Sequence, residues 1–504
     1  MTSRIVYYGP VIQSRTLLDL DVWPSAVIAV GPDGIISWVE SGPVASAELQ
    51  DVCSKHGWDI TDSASAVQLV QGHEGEWLMP GLVDTHSHAP QFPNLGTGQQ
   101  YQLLDWLDNI TFPTEARFAD VAYARTAYTE VVSRVLNAGT TTCSYYATLH
   151  LEASKVLADV AHAKGQRAFI GKCNMDRNSP PTYIEASTES SLEDTKAIVD
   201  YIKSLHTASS ARNSLPLVQP ILTPRFAISC TPDLLEGVGK LYNTSPSSSF
   251  PPLLLQTHIS ENKAEITTTI DLFKHLPPHN LVESGAAPHH PHEHSYSSVY
   301  DHYGLLRERT ILAHGVHLTE GELELIKTRN AGLSHCAGSN FNLRSGVASV
   351  GDWLDRGLKV GLGTDVSGGF APSIVTEIRH ASIASKVRAM MNAMDPSNHI
   401  SQSSSPFTSP QGLPVATLLH MATLGGAAVC NLSDHIGSFA PGKQFDALYI
   451  SLRKGGNPAV WHEVGRGDAL EKQLERFLFC GDDRNIRNVW VSGRLVAGAE
   501  HVVT

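Results

Sequence analysis

The chain has 504 residues, of which 42% are hydrophobic and 17% are charged, a composition typical of a folded globular protein. It has 37 Lys and Arg residues against 50 Asp and Glu residues, a net charge of −13, which argues against a nucleic-acid or anionic-membrane surface because phosphate binding depends on clustered basic charge. At this length we expect one large barrel-type domain with an accessory domain. The charge balance fits a small neutral substrate better.

The cysteines indicate a reducing compartment. There are seven, an odd number, and none are spaced Cys-x-x-Cys, which argues against a disulfide framework and a thiolate zinc site. The N-terminus lacks the basic and apolar regions of a secretory signal. No uninterrupted apolar run reaches the roughly 20 residues that span a bilayer. We therefore expect a cytosolic protein.

Both ends of the chain contain short β-like segments separated by turns. In the N-terminal part these are Arg4–Tyr8, Ala26–Val30 and Ile35–Val39, with a hairpin signal at Gly31–Gly34. In the C-terminal part they are Phe445–Ile450 and Asn488–Val491, with a turn at Ser492–Gly493. Because chain termini often lie close together, we predict one small β-sandwich domain built from residues 1–78 and 431–504. Two unrelated caps are the alternative.

Residues 79–430 alternate between apolar strand candidates and amphipathic helix candidates. The strand candidates are Leu82–His86, Thr140–Tyr146, Arg167–Cys173, Leu217–Leu222, Leu253–His258, Thr310–His314, Gly332–His335 and Lys359–Thr364. The helix candidates include Ala119–Leu136, Ser154–Ala163, Leu192–Leu205, Ala264–Leu276 and Glu320–Asn330. The last of these begins with a capping box, Thr319 to Glu322. This alternation predicts an α/β fold, a TIM-type (β/α)8 barrel. An open doubly wound sheet is the alternative, but no Gly-x-Gly-x-x-Gly follows an early strand.

Three polar segments, residues 243–252, 277–298 and 395–413, are interpreted as expanded loops. The second contains five histidines: His279, His289, His290, His292 and His294. A metal-binding tract is possible there, but an exposed loop is favoured, because insertions collect on loops. We assign it no chemistry.

Ligand-type side chains recur where the predicted strands end, which is where barrel enzymes carry their active sites. His86 and His88 are two residues apart on the first strand, so both point to the same side. His258 ends the fifth strand, His314 ends the sixth, and Asp365 follows the eighth. Imidazoles with one carboxylate and no thiolate suit a catalytic Zn²⁺ or Fe²⁺ with an open position for water.

Such a metal lowers the pKa of bound water to about 7. Asp365, besides being a ligand, can accept the proton of that water. Glu261 lies three residues after His258 at a strand-to-helix turn, so it reaches the pocket without being a ligand. We predict that Glu261 is the proton shuttle.

The same segments resemble the amidohydrolase superfamily and, within it, the guanine deaminases. The motifs that carry the resemblance are Pro80–His88, His88–Gln91, Thr111–Glu115, Gly139–Thr142, Thr223–Phe226, His258–Asn262, His314, Gly361–Gly369 and Phe479–Ile486. Together they extend over nearly the whole chain. One departure is Ala337 in the segment His335–Asn340, where relatives usually have proline, and it affects the turn after the seventh strand.

The resemblance implies a metal held by His86, His88, His258 and Asp365, one Zn²⁺ per subunit with Fe²⁺ as the second choice. It also implies that His314 lies beside the water that the metal activates. Glu261, Asp365 and His314 are thus the expected catalytic residues.

The resemblance further implies how a base would be held. Arg225 would face O6 and N7 of guanine, because its guanidinium is a planar set of donors. Gln91 would face the N1 and N2 side, Phe226 would form part of the pocket wall, and His88 would also face the substrate. A surface ion pair is the alternative for Arg225.

The implied reaction is hydrolytic deamination of guanine to xanthine and ammonia, with water attacking C2 and Glu261 delivering a proton to N3, in a homodimer. One alternative is a related deaminase or chlorohydrolase acting on adenosine derivatives, cytosine, 8-oxoguanine or a triazine. Another is a non-catalytic scaffold that has kept the fold. Trp106 and Phe112 either close over the base or pack in the core.

Overall fold

The computed structural model describes residues 4–61, 67–207, 215–243, 250–277, 295–394, 405–453, 457–461, 463 and 467–498. The five histidines of the segment 277–298 lie outside these residues, as do parts of the segments 243–252 and 395–413. Each of the eight predicted barrel strands agrees with an observed strand to within two residues at either end. The two longest strands, Arg4–Ser14 and Leu20–Val30, each extend six residues beyond the predicted segments, and the longest helix, Ile374–Met394, was not among the predicted helices.

The strands are described in chain order. The first five are β1 (Arg4–Ser14), β2 (Leu20–Val30), β3 (Ile36–Glu40), β4 (Val67–Gln71) and β5 (Glu76–Pro80). The next nine are β6 (Leu82–His88), β7 (Thr140–Tyr146), β8 (Arg167–Gly171), β9 (Cys173–Asn174), β10 (Val218–Pro224), β11 (Leu254–Ile259), β12 (Thr310–His314), β13 (Gly332–His335) and β14 (Lys359–Leu362). The last three are β15 (Ala447–Ser451), β16 (Ile486–Val491) and β17 (Arg494–Ala497).

The helices follow the same order. The first eight are α1 (Leu49–Lys55), α2 (Leu103–Trp106), α3 (Phe112–Ala116), α4 (Val121–Asn137), α5 (Leu151–Lys164), α6 (Thr188–Thr207), α7 (Pro232–Tyr242) and α8 (Lys263–Leu272). The others are α9 (Tyr296–His302), α10 (Glu320–Thr328), α11 (Ala337–Asn342), α12 (Val350–Asp355), α13 (Ile374–Met394), α14 (Val415–Ala422), α15 (Leu424–Val429) and α16 (Leu470–Cys480). A short 3-10 helix, Ala89–Asn94, follows β6.

The middle of the chain forms a nearly closed parallel barrel. Its strands pair in the order β6-β7-β8-β10-β11-β12-β13-β14, and every residue of β6, β7, β8 and β10 is buried, as expected of strands covered on both faces. The amide of Asp365 donates to the carbonyl of His86 at 2.8 Å, which connects the end of the last strand to the first. The predicted (β/α)8 fold is therefore confirmed.

Local sequence explains where several barrel helices begin. The side chain of Thr319 accepts from the amide of Glu322 while Glu322 caps the Thr319 amide, so the predicted capping box starts α10. Asn262 and Glu265 form a second box at the start of α8. That box begins directly after Glu261, so the turn carrying this glutamate is held at its C-terminal side.

Strands from both chain ends form a second sheet, with the order β17-β16-β15-β5-β1-β2-β3 and β4 paired to β1. The hairpin turn predicted at Gly31–Gly34 joins β2 to β3, and Ser492–Gly493 joins β16 to β17. These turns touch: a Cβ at Gly34, where φ is +79°, would lie 1.9 Å from the carbonyl oxygen of Ser492. Glycine is required there by both its backbone conformation and the close approach.

The second sheet leads directly into the barrel. β5 pairs with β15 in this sheet, and only Gly81 separates it from β6, which carries His86 and His88. The start of the first barrel strand is thus anchored by strands from both termini. The domain limits at residues 78 and 430 stay predictions. None of the helices that the structure describes is long and apolar enough to cross a membrane.

Candidate active site

Five ligand-type side chains meet at the carboxyl end of the barrel. His86 and His88 lie on β6, His258 on β11, His314 is the last residue of β12, and Asp365 follows β14. His258 is partly buried, whereas the other four side chains are buried. The convergence predicted from strand ends is therefore present, because parallel strands bring their carboxyl ends to one rim.

The atoms of this cluster are spaced as metal ligands are. Donor atoms of His86, His258, His314 and Asp365 lie within 4.8 Å of one another. Asp365 Oδ1 is 3.1 Å from His86 Nε2 and 3.4 Å from His88 Nε2. His88 Nε2 is also 3.2 Å from His258 Nε2. His88 and His314 are thus both near enough to take part.

The hydrogen bonds made by the histidine rings leave ring nitrogens available to bind a cation. His258 Nδ1 is 2.7 Å from the carbonyl oxygen of Arg225, and His314 Nδ1 is 3.0 Å from Asn340 Oδ1. Donation from each Nδ1–H leaves the Nε2 lone pair pointing inward, as metal-binding histidines require. His86 Nε2 is not in hydrogen-bond geometry with Asp365 Oδ1 despite the short distance, and His314 Nε2 also has no hydrogen-bond partner among the described residues. Buried polar atoms without partners are costly, and a metal would satisfy them.

The pKa shifts in the cluster favour the protonation states in which histidine and aspartate bind a metal. Burial lowers the pKa of His86, His88 and His258, so these imidazoles are neutral, as metal binding requires. Burial by itself raises the pKa of Asp365, but His86 and its neighbouring histidines hold that pKa well below its usual value. Burial by itself lowers the pKa of His314, and the carboxylates of Glu261 and Asp365 more than offset this.

Glu261 faces the cluster from the turn after β11. Its Oε2 is 3.5 Å from His314 Nε2, and its Oε1 accepts from the Ser345 hydroxyl at 2.9 Å. Burial raises the pKa of Glu261 to about 7. A carboxyl group with such a pKa can both donate and accept a proton near neutral pH. Glu261 therefore lies beside the cluster, where a proton shuttle would act, and its role as that shuttle stays a prediction.

A cavity opens above the cluster. Its polar lining includes Gln91, Arg225, Glu261 and Asp365, and its apolar wall is formed by Leu103, Trp106, Leu107, Phe226 and Leu343. Arg225 follows β10, and Gln91 lies in the 3-10 helix after β6. The structure therefore brings the predicted base-binding residues to the same cavity as the predicted metal ligands.

The two aromatic residues of the first long loop have different positions. Trp106, at the end of α2, lines the cavity and is 3% exposed. Phe112 packs beneath Arg225, with its ring centroid 5.1 Å from the guanidinium carbon. Phe112 is thus a packing residue, whereas Trp106 is placed to contact a ligand.

Glu115 was not singled out by residue-level reasoning, although it ends a motif that carries the family resemblance. Its carboxylate binds both terminal nitrogens of Arg225, at 2.7 and 3.0 Å. Burial by itself lowers the pKa of Arg225, but Glu115 more than offsets this. The available signal was an acidic residue in the apolar stretch 110–116, since a buried carboxylate needs a partner.

Two residues that hold the predicted catalytic side chains were also missed by sequence reasoning. Asn340 lies at the start of α11's second turn and contacts His314, and Ser345 lies just after that helix and donates to Glu261. The helix begins at Ala337, so the departure from the usual proline leaves a helix in place. Neither residue type is diagnostic on its own, because hydroxyl and amide side chains are common on loops.

Comparisons with known proteins agree with this site. The model of the amidohydrolase family matches residues 77–496. A probable guanine deaminase from Schizosaccharomyces pombe is 44% identical over 495 residues, covering 98% of this chain and 84% of that protein. Guanine deaminase from Dictyostelium discoideum is 38% identical, covering 97% and 98% of the two chains.

A solved structure is also similar. Guanine deaminase from C. acetobutylicum, with guanine bound in its active site, superposes with a TM-score of 0.78 at 30% identity, covering 98% of this chain and 99% of that one. The match extends over the barrel and the terminal sheet. With a family model that spans most of its length and relatives of such identity, the chain belongs to the amidohydrolase family.

Proposed function

We propose that this protein is a guanine deaminase, which hydrolyses guanine to xanthine and ammonia. The observation that carries the proposal is one cavity with two kinds of lining: a histidine and aspartate cluster at its base, and Arg225 with Gln91 at its side. The names of the similar proteins and the guanine bound in one of them support the choice of substrate.

We propose that His86, His88, His258 and Asp365 hold one divalent ion, with His314 beside it. Zinc is the proposed metal, since imidazoles and one carboxylate without thiolates suit it, and Fe²⁺ is the alternative. When bound, the ion supplies Lewis acidity that makes water nucleophilic near neutral pH. Asn340 orients His314, and the Arg225 carbonyl orients His258.

The proposed proton transfers use Glu261 and Asp365. Glu261 lines the cavity and is held by Ser345, so it can take a proton from the attacking water and deliver it to N3 of the base. Asp365 accepts a proton on the other side and returns it to the leaving amine. Burial keeps bulk water away from both carboxyl groups, which strengthens their interactions with the reacting atoms.

The proposed base contacts are made by residues around the cavity wall. Arg225 faces the O6 and N7 edge, Gln91 faces the N1 and N2 side, and Phe226 and Trp106 pack against the ring. A pocket that donates hydrogen bonds to O6 should discriminate strongly against adenine, because its buried donors would be left without acceptors.

The test is an assay of ammonia release with guanine, adenine and cytosine side by side, with and without a metal chelator. Rapid, chelator-sensitive release from guanine alone is expected, with xanthine as the product. Release from adenine or cytosine instead would favour the related deaminases. No turnover in protein that contains its metal would favour a non-catalytic scaffold.

A homodimer and a cytosolic location are also proposed. The dimer rests on the family resemblance. The location is supported by the cysteines, all seven of which are free thiols, as is usual in reducing compartments. Light scattering of the purified protein and fractionation of its native cells test these two proposals.

A further inference from the structure

Four hydrogen-bond donors converge on the carboxylate of Glu115. Oε1 accepts from Gln91 Nε2 at 2.8 Å and from Arg225 Nη2 at 3.0 Å. Oε2 accepts from Arg225 Nη1 at 2.7 Å and from the Tyr183 hydroxyl at 2.6 Å. Glu115 is completely buried. It therefore holds the two side chains that line the polar wall of the cavity, whereas Glu115 itself is not one of the residues that line it.

The shared carboxylate also restricts which donors are left for a ligand. Arg225 uses one N–H of each terminal nitrogen on Glu115, which leaves three of its five N–H groups. Gln91 is fixed at both ends, because its Oε1 accepts from the Ser367 amide at 3.1 Å. The Tyr183 hydroxyl accepts from the Leu149 amide at 3.3 Å, so its own proton points to Glu115. The orientation of each group is thus determined by the network.

Charge is balanced within this network. The guanidinium of Arg225 is paired with the Glu115 carboxylate and stacks on Phe112, 5.1 Å from the ring centroid. An unpaired buried cation would attract an anion, whereas a paired one offers directed N–H groups without a net charge. This side of the cavity therefore suits a neutral ligand with acceptors along one edge.

We infer that Glu115 is the positioning residue for base recognition: it orients Arg225 and Gln91 together and selects a neutral base with a 6-oxo group. This inference rests on the proposed function and extends it to a residue that does not touch the substrate. Glu115 lies on α3, whereas Arg225 follows β10 and Gln91 follows β6. One carboxylate thus couples two barrel strands to the loop that carries Trp106.

The substitution Glu115→Gln tests the inference with almost no change of volume. An amide has a single acceptor oxygen and adds two N–H donors. Two of the four donors around it would lose their acceptor, so Arg225 and Gln91 would no longer be held in one arrangement. We expect the KM for guanine to rise roughly 10- to 100-fold, as for buried donors left without partners. We expect kcat to fall by less than about fivefold, because the reacting groups are untouched.

A second measurement separates positioning from general damage. Hypoxanthine has the 6-oxo group, purine lacks it, and neither has a 2-amino group to lose. In the wild type we expect hypoxanthine to inhibit at lower concentration than purine. In Glu115→Gln the ratio of the two inhibition constants should fall by roughly tenfold, since the lost interaction is the one with O6. Equal weakening of both inhibitors would overturn the inference.

Two further variants provide the comparison. Tyr183→Phe removes one of the four hydrogen bonds and keeps the ion pair, so a change of KM in the same direction but only a few fold is expected; it serves as the test if Glu115→Gln does not fold. Glu322→Gln is the matched control, because Glu322 is also buried but caps α10 outside the cavity. It should keep the wild-type ratio of inhibition constants.

The outcomes distinguish this inference from the proposed function. A wild-type protein that releases no ammonia from guanine would overturn the proposed function. An active wild type whose Glu115→Gln and Tyr183→Phe variants both keep the normal KM and inhibitor ratio would overturn only the role of Glu115. A variant that loses kcat at unchanged KM would also overturn it, because that result assigns Glu115 to the chemical step.

Discussion

The base and the side of the cavity satisfy their buried polar groups in opposite ways. At the base, His86 Nε2 and His314 Nε2 have no hydrogen-bond partner among the described residues. At the side, each carboxylate oxygen of Glu115 accepts two hydrogen bonds, from donors on Arg225, Gln91 and Tyr183. The proposed ion would satisfy the first region, whereas side chains of the protein satisfy the carboxylate in the second.

The contrast shows which features of the cavity depend on a cofactor. The histidine cluster should change its stability and activity with metal content, because a ligand that binds only the folded state stabilises it. The Glu115 network should keep its geometry whether or not metal is present. Preorganised donors of this kind select a ligand at little cost in ordering.

The largest expected effect tests the histidine and aspartate cluster at the bottom of the cavity. Removal of the metal with a chelator should reduce ammonia release from guanine to background, and added Zn²⁺ should restore it. The melting temperature should fall on chelation and recover with the ion. Calorimetry and an ammonia assay on the same samples measure both. Full activity in protein that elemental analysis shows to be metal-free would contradict the proposal that the histidine cluster depends on a metal.

Glu261→Gln should give the next largest effect within the same region. The amide cannot carry a proton, so kcat should fall about 10²- to 10⁴-fold. Metal content should remain at the wild-type level, since Glu261 lies beside the ligands and is not one of them. Steady-state kinetics and elemental analysis check the two parts. A variant that keeps most of its turnover would assign proton transfer to another residue.

Arg225→Met tests the side of the cavity through stability. It leaves the buried carboxylate of Glu115 without its countercharge, and the free energy of unfolding should fall by about 3–5 kcal/mol. The double variant Glu115→Gln/Arg225→Met should recover part of that loss, because no charge is then left unpaired. Denaturant unfolding of the wild type and the three variants measures this coupling. Additive losses would mean that the two side chains do not act as a pair.

Thr319→Ala should have the smallest effect, and it serves as the control for destabilisation outside the cavity. It removes the capping box of α10, outside both regions, and should lower the free energy of unfolding by about 1 kcal/mol. The KM and kcat for guanine should be unchanged. A parallel loss of activity would show that modest destabilisation alone affects the site, and the effects of the other variants would then need correction for stability.

Some parts of the architecture could be predicted from local pattern alone. Thr140–Tyr146 and Thr310–His314 were predicted as strands with the bounds that the structure has, because short runs rich in β-branched and aromatic residues favour strands. The predicted strand Arg167–Cys173 is divided in the structure at Lys172. The Lys172 ammonium binds the Glu185 side chain and the Cys173 carbonyl, a tertiary arrangement that no local pattern reveals.

The sequence by itself determined the barrel, the joining of β-segments from both termini, and the ligand-type residues at the strand ends, whereas the structure showed that the terminal segments form one sheet. Periodicity, turn residues and strand-end chemistry are local properties, so they are readable along the chain. Only the tertiary structure decided that Phe112 packs under Arg225, that Ser345 binds Glu261, and that Glu115 collects four donors. Those contacts join residues 24 to 113 positions apart, and their geometry depends on how helices and loops pack around the rim of the barrel.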